Sequence, residues 1–322
     1  MATNKLSKKS EKELMSPPES LPPKELGEYA YAAIQKQYRY IINQEQGVLE
    51  DKDPEYLHQM RVGSRRLIAV LQVFHGVLKL PKAFGDQQVR ALAKTLGNLR
   101  DLDVQIATVR TDYYDRLSSR EQKSLDKVLQ AWEKQRDKAF DKVKATLDAP
   151  SYQNLKTAGD RWVQNPQYTA LVRLPLCMYL PDLIAPLLSA FLMHPGWLIP
   201  ANFTSDADDI ALHDLRKICK CVRYQAELFA EFYDKAFHDW IDEVKLLQDR
   251  LGKVQDMYIL LKLILKELPQ GASLPELQQA IQADRLKALE NWEALRQKYL
   301  DPNFRYLLYQ MILEPLKQQQ ET

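Results

Sequence analysis

The chain repeats itself. His58-Gln-Met-Arg61 returns as His213-Asp-Leu-Arg216, 155 residues further on (58 to 213). Leu96-Gly97-Asn-Leu-Arg100-Asp101 returns at the same offset as Leu251-Gly252-Lys253-Val-Gln255-Asp256. Phe74/Phe229, Val89/Val244 and Leu92/Leu247 match at that shift, and Arg65/Lys220 and Arg90/Lys245 keep their charge. One offset that runs through both stretches without a gap calls for two related halves, each too long and irregular to be a solenoid repeat, packed about an approximate two-fold axis.

The halves read as helical. Glycine is scarce, 10 in 322 residues, while apolar residues make up 45%, so turn-makers are few and core material is ample. That balance disfavours sandwiches, barrels and Rossmann-type sheets. From Leu26 to Ile42 the apolar side chains fall at three- and four-residue steps, up to a break near Gly47–Asp53. Asp53-Pro54 reads as a cap followed by proline at the first helical position, opening a helix through His58 to about Leu80. A third stretch runs from about Gly85 to Leu117. A fourth opens at Ser118/Ser119, with Glu121 or Gln122 completing a capping box, and ends before Pro150. Ser205 with Asp208 opens the second half, followed by helical stretches over about Ala236–Leu268, Leu274–Tyr299 and Pro302–Lys317. The division is an N-terminal half over about 25–150, a proline-rich crossover over about 159–204 and a C-terminal half over about 205–318. Met1–Lys24, with five lysines and four prolines but no apolar run, reads as a disordered tail and not a secretory signal.

Leu174–Ile199 holds a single charged residue, Asp182, and is long enough on paper to cross a bilayer. Pro175, Pro181, Pro186 and Pro195 would break such a helix. Asp182 near its middle would add about 2.5–3.5 kcal/mol. The expectation is therefore a short buried helix near Pro181–Met193 and no membrane partner. Three cysteines, Cys177, Cys219 and Cys221, form no CxxC pair, which excludes a disulfide framework or cysteine-rich zinc site and points to a cytoplasmic address.

The chemistry lies in the repeated segments. At about 100° per residue His58, Arg61 and Arg65 share one helical stripe, with Arg66 off to the side. In the second half His213, Arg216, Lys220 and Arg223 share a stripe, with Lys217 and Tyr224 beside it. Like charges at these spacings repel by a few tenths of a kcal/mol, so an anion must face them. Between Tyr56 and Lys82 there is no Asp or Glu to pair within the helix. The counter-charge is either carboxylates from other helices or an external polyanion, and the residues alone leave both open. Since the net charge is only +2, any anion site must come from local sorting of charge and not from a globally basic surface.

Arg90, Gly97 and Asp101, repeated as Lys245, Gly252 and Asp256, lie close to one face of the second helix of each half, with Lys94 nearby. A glycine inside a helix costs up to about 1 kcal/mol relative to alanine, so its recurrence predicts a close approach of two backbones. Asp101 and Asp256 read as orienting acids that hold a neighbouring Arg or Lys by charge-assisted bonds, or as plain structural ion pairs.

These motifs, together with Arg223-Tyr224-x-x-Glu227-x-Phe229, resemble the two halves of the CHAD family, the conserved histidine α-helical domain. The likeness extends over about Leu26–Leu316. It implies an all-α fold of two pseudo-symmetric four-helix bundles around a central basic channel, and non-catalytic binding of inorganic polyphosphate. It adds polyphosphate granules as a place where such a chain is found. Carried over by motif position, the anion-facing residues are His58, Arg61 and Arg65, then His213, Arg216, Lys220 and Arg223. Arg66, Arg90, Lys94, Lys217, Tyr224 and Lys245 are secondary candidates. The chain departs from the family at Ile68, where a basic residue matching Arg223 is common, and at Gln255, opposite Arg100. The first departure shortens the stripe of the N-terminal half.

Such stripes suit a linear polyphosphate, which offers charge at every phosphate and no bases to stack. Other polyanions are the nearest rivals. Nucleic acid fits less well, because Tyr224 is the one aromatic in the stripes and single strands are held on interleaved aromatics. A metal-dependent phosphohydrolase or phosphate-ester enzyme built on His58, His213, Asp101 and Asp256 is the catalytic alternative. Its ligand set is thin, lies in a positive field and has no HxxxH or HExxH pattern, so neither a metal nor a cofactor is expected. His75, His194 and His238 read as surface or loop residues, and Asp206, Asp208 and Asp209 as helix-start charges. A helical scaffold for another protein would use the mixed-charge face of Glu121–Lys144, but would leave the sorted stripes without a role.

Overall fold

Asp53 and Ser205 start the two helices that carry the repeated histidines, as their capping chemistry predicts. Both belong to a computed structural model that describes residues 25–203 and 205–316. The tail read over 1–24 and the domain end at 317–318 lie outside the described residues. The Asp53 carboxylate accepts from Glu55 N at 2.8 Å, with Pro54 at the first position, and Ser205 Oγ accepts from Asp208 N at 3.1 Å. Each bond satisfies an amide that a helix end leaves orphaned.

The N-terminal half runs α1 (Leu26–Ile42), a short α2 (Glu45–Glu50), α3 (Pro54–Val73), α4 (Asp86–Thr108), α5 (Ser119–Asp148) and α6 (Pro150–Gln164). The crossover contains α7 (Leu176–Leu192). The C-terminal half runs α8 (Asp206–Phe229), α9 (Lys235–Glu267), α10 (Pro275–Ala288), α11 (Trp292–Leu300) and α12 (Pro302–Leu313). The fold is all-α: the described residues contain no strand, and two isolated bridges, Glu25 with Pro175 and Leu78 with Tyr168, tie the N-terminal half to the crossover.

Several boundaries differ from expectation for identifiable reasons. Helix α3 stops at Val73, not near Leu80, because the chain turns at Phe74–Gly76 to make the Leu78 bridge. Pro150 ends α5 and also starts α6, a helix the sequence reading left out, which buries Tyr152, Leu155, Gly159 and Trp162 at three- and four-residue steps. The prolines of the crossover do not break its helix: α7 runs through Pro181 and Pro186. An interior proline costs about 3 kcal/mol, and the burial of Leu180, Ile184, Leu188 and Phe191 offsets it. The segment Leu176–Leu198 has a mean hydropathy of 1.7 and is long and apolar enough to cross a membrane by length and composition, with a third of that stretch buried. The expected single stretch Leu274–Tyr299 divides into α10 and α11 at Asn291, whose left-handed φ of 64° asparagine tolerates well.

Helices α3 and α8 join the halves. Phe74 and Phe229, which the 155-residue offset makes equivalent, meet edge to face with ring centroids 6.0 Å apart. Leu67, Val70 and Leu71 of α3 and Cys219, Val222 and Ala226 of α8 belong to the same buried cluster.

The acid expected to close a capping box on α5 does something else. Glu121 is only 4% exposed, and its carboxylate accepts from Glu276 N at 2.9 Å and Leu277 N at 3.0 Å, capping α10 in the other half. Removing it orphans two amides at the start of α10 in a site closed to water. We expect Glu121→Ala to lower unfolding stability by about 2–3 kcal/mol, read by urea denaturation. A loss below about 0.5 kcal/mol would show that water replaces the carboxylate.

Candidate functional site

The repeated arginines lie flat against the repeated glycines. A side-chain carbon added at Gly97 would stand 3.5 Å from Arg61 Nε, and one at Gly252 would stand 3.2 Å from Arg216 Nη2 and 3.3 Å from its Nε. The close approach is thus guanidinium on helix, and not backbone on backbone as the sequence suggested. Each arginine then reaches an acid one turn further along. Arg61 Nη2 donates to Asp101 Oδ1 at 3.1 Å, while Arg216 holds Asp256 through two bonds of 3.0 and 3.3 Å. Asp101 and Asp256 thus each hold the arginine of a repeated His-x-x-Arg motif by charge-assisted bonds, an arrangement common to an orienting acid and a structural ion pair.

This geometry separates the two glycines. Gly97→Ala meets ordinary van der Waals distances and should stabilise the protein by up to about 1 kcal/mol through helix propensity. Gly252→Ala must push the Arg216 guanidinium by a few tenths of an ångström and should gain less or lose stability. Paired thermal melts check the order, and equal gains would contradict it.

Other cations of the stripes also meet internal acids. Glu227 lies 3.3 Å from Arg223 and 3.9 Å from Arg66, so it draws together guanidinium groups from α8 and α3. Lys217 pairs with Asp214 at 2.8 Å and Arg90 with Asp86 at 2.6 Å, both within one helix. Tyr224 lies under Arg223, 4.6 Å from its ring centroid to the guanidinium carbon. Lys94 and Lys245 stand exposed on α4 and α9, and among the described residues no hydrogen bond or ion pair ties them to the cluster.

Arg65 and Lys220 are different. Among the described residues neither has a carboxylate within ion-pair distance, and both are half-buried. The Lys220 ammonium is pushed down to about 7, first by burial and then by Arg216, Arg65 and Arg61. Two of those three belong to the other half, so the stripes of α3 and α8 share one electrostatic field. Arg61 is itself held below its ordinary value, chiefly by burial and next by Arg65.

The histidines follow the same pattern. Burial lowers His58, and Arg100 is the next contributor; burial lowers His213, followed by Lys217 and Arg216. His213 Nδ1 is buried without a hydrogen-bond partner. Both imidazoles are thus biased to the neutral form in the free protein, as expected for rings inside a cationic cluster.

Two residues of the site were absent from the sequence-derived set although their motifs were in view. Arg100 directly precedes Asp101 and is the charge that most lowers His58 after burial. Glu227 follows Arg223 by four residues, the ordinary spacing of a helical ion pair. Of the other singled-out groups, His75 and His238 are exposed, whereas His194 is half-buried and its Nδ1 accepts from Gly196 N at 3.0 Å. Asp209 is more than a helix-start charge: it is 5% exposed and pairs with Arg285 at 2.6 Å. Among the described residues no group of three or more His, Cys, Asp or Glu is arranged to hold a metal ion.

The sequence profile of the CHAD domain matches residues 32–265. The chain belongs to the CHAD domain family. The matched region takes in α3, α4, α8 and nearly all of α9, the four helices that carry the repeated histidine, arginine and lysine positions of this CHAD domain. Its fold is similar to the crystal structure of the CHAD domain from the plant Ricinus communis. That match has a TM-score of 0.56 at 22% identity and covers 92% of this chain and 95% of that one. It is also similar to PptA from Streptomyces chartreusis, with a TM-score of 0.63 at 13% identity, over 86% of this chain and 98% of that one. Among curated proteins no match is found.

Proposed function

We propose that this CHAD domain binds inorganic polyphosphate without turning it over, in a basic channel between two halves related by an approximate two-fold axis. The observation that carries the reading is Lys220: half-buried, without a carboxylate partner among the described residues, and held in the combined field of Arg61, Arg65 and Arg216. Uncompensated charge of one sign in a partly dry site is unfavourable in the free protein, and an anion that satisfies several donors at once relieves it.

The internal acids fit the reading as well. Asp101 and Asp256 hold Arg61 and Arg216 by one edge of each guanidinium, and the Nε of each arginine is buried without a hydrogen-bond partner among the described residues. Orienting a donor while leaving part of it unsatisfied prepares it for an incoming oxygen. A polymer with charge on every unit and no bulky side groups matches donors drawn from four helices better than a compact phosphate ester does.

Calorimetry with long-chain polyphosphate, pyrophosphate and double-stranded DNA ranks the ligands, and a phosphate-release assay on the same samples reads turnover. Long-chain polyphosphate is expected to bind tightest, with affinity falling steeply as salt rises, and no phosphate is expected to be released. Preference for pyrophosphate or DNA would overturn the ligand assignment. Steady phosphate release that is lost in His58→Ala would establish the catalytic alternative instead. The cellular counterpart is cytoplasmic residence at polyphosphate granules, which a fluorescent fusion tests against a strain depleted of the polymer.

A further inference from the structure

The buried apolar side chains form two separate clusters, and each draws on both halves of the chain. The first is the main core and contains the α3–α8 seam around Phe74 and Phe229. The second lies at the far ends of the long helices, where Val109, Leu125 and Trp132 pack with Ile264, Leu277 and Ile281. Polar contacts hold that second seam closed. Besides Glu121 on the start of α10, Glu276 accepts from Ser118 N at 2.6 Å, Arg116 donates to Asp284 at 2.8 Å, and Gln135 donates to Glu267 at 3.1 Å.

Along α4 the first cluster ends at Leu99 and the second is met from Leu102, which packs against it, with Ile106 its first buried residue there; along α9 the corresponding residues are Val254, then Met257 and Leu260. The intervals between hold Arg100 and Asp101 on α4 and Asp256 on α9, and Arg61 and Arg216 reach into them from α3 and α8. The cationic cluster therefore lies between two seams, both of which join the same two halves.

We infer that the two seams close a ring around this cluster, so that the site takes slim, linear polyanions by one end and rejects those whose ends are blocked. The inference rests on the polyphosphate reading and specifies how the polymer enters and leaves. A bound strand can leave sideways only if the second seam opens, which exposes Trp132 and its neighbours and orphans the amides that Glu121 caps. Sliding off an end needs none of this. Duplex DNA is excluded by breadth and closed circles by topology.

The test joins the second seam covalently. In full-length protein carrying Cys177→Ala and Cys221→Ala, Gln135→Cys and Glu267→Cys supply two exposed thiols for a bismaleimide. The probe is long-chain polyphosphate, either with free ends or with both ends biotinylated and capped by streptavidin after loading. Protein loaded at low salt, then linked, then capped is expected to stay on the polymer through a wash at about 1 M salt, which screens exposed charge contacts. The same linked protein on polymer with free ends is expected to wash off. Protein linked before loading is expected to bind free-ended polymer and to bind capped polymer at least tenfold more weakly. Equal release from capped and free-ended polymer, or equal binding after prior linking, would overturn the ring and leave an open groove. If the unlinked variant, its helicity verified by circular dichroism, fails to load free-ended polymer at low salt, the polyphosphate reading itself fails.

Discussion

Replacing Arg216, Lys220 and Arg223 together by alanine is expected to lower affinity for polyphosphate, the proposed ligand, by about a thousandfold or more. A hydrogen bond involving a charged group is worth about 1.5–3 kcal/mol, and each tenfold in affinity is about 1.4 kcal/mol. Three engaged donors reach that loss even at about 1.5 kcal/mol each. All three lie on α8 over a buried row that includes Leu215, Cys219, Val222 and Ala226, so the substitutions leave the apolar face untouched and helicity is retained. The dependence on salt falls along with affinity, because every lost contact releases fewer counterions, with a slope change of about 0.7 per contact by analogy with single-stranded nucleic acid. Filter binding over a salt series checks both effects. Unchanged affinity with unchanged slope would move the site away from the α3–α8 stripes. The matching triple change His58, Arg61 and Arg65 to alanine should cost less, since Ile68 leaves that stripe one cation shorter than the stripe ending at Arg223.

Polyphosphate affinity is also expected to fall as pH rises, with Lys220 setting the upper part of that profile. In the free protein its ammonium titrates near 7, far below the ordinary lysine value of 10.5. A bound polyanion would restore the charged form, so binding should take up a proton between those limits and weaken by up to about tenfold per pH unit above 7. His58 and His213, both lowered in the free protein, add a second limb at more acidic pH with the same sign. Lys220→Met should flatten the upper limb while leaving the acidic one. Proton uptake measured by calorimetry in buffers of different ionisation enthalpy gives an independent reading.

The same lysine acts on stability. With its folded value depressed, the unfolded chain binds more protons between about pH 10.5 and 7. The penalty on the folded state therefore grows as pH falls through that window and is complete below it. Lys220→Met removes the penalty, so the free variant should melt several degrees higher than the parent at pH 7, with no gain near pH 10.5. A variant that melts lower at pH 7 would mean that Lys220 already has a counter-charge in the free protein.

The duplication, the helical class and the identity of the stripe residues could all be read along the chain, because each depends on local spacing. A three-and-four-residue period makes a helix face whatever surrounds it, and one offset linked His58 with His213 and Asp101 with Asp256. Capping chemistry placed the starts of α3 and α8 for the same reason. Spacing did not reveal which groups would neutralise which. Glu121 has the sequence of a local cap, yet it caps α10 from 155 residues away (121 to 276). Gly97 and Gly252 signalled a close approach, but only the packed helices put a guanidinium there. Prolines 181 and 186 carry a local cost that only the burial of α7 could offset. The division of the stripes into cations with internal partners, such as Arg61 and Arg216, and those without, such as Arg65 and Lys220, was likewise decided by the tertiary structure. Charge compensation acts through space between helices distant in sequence, and no period along one helix encodes it.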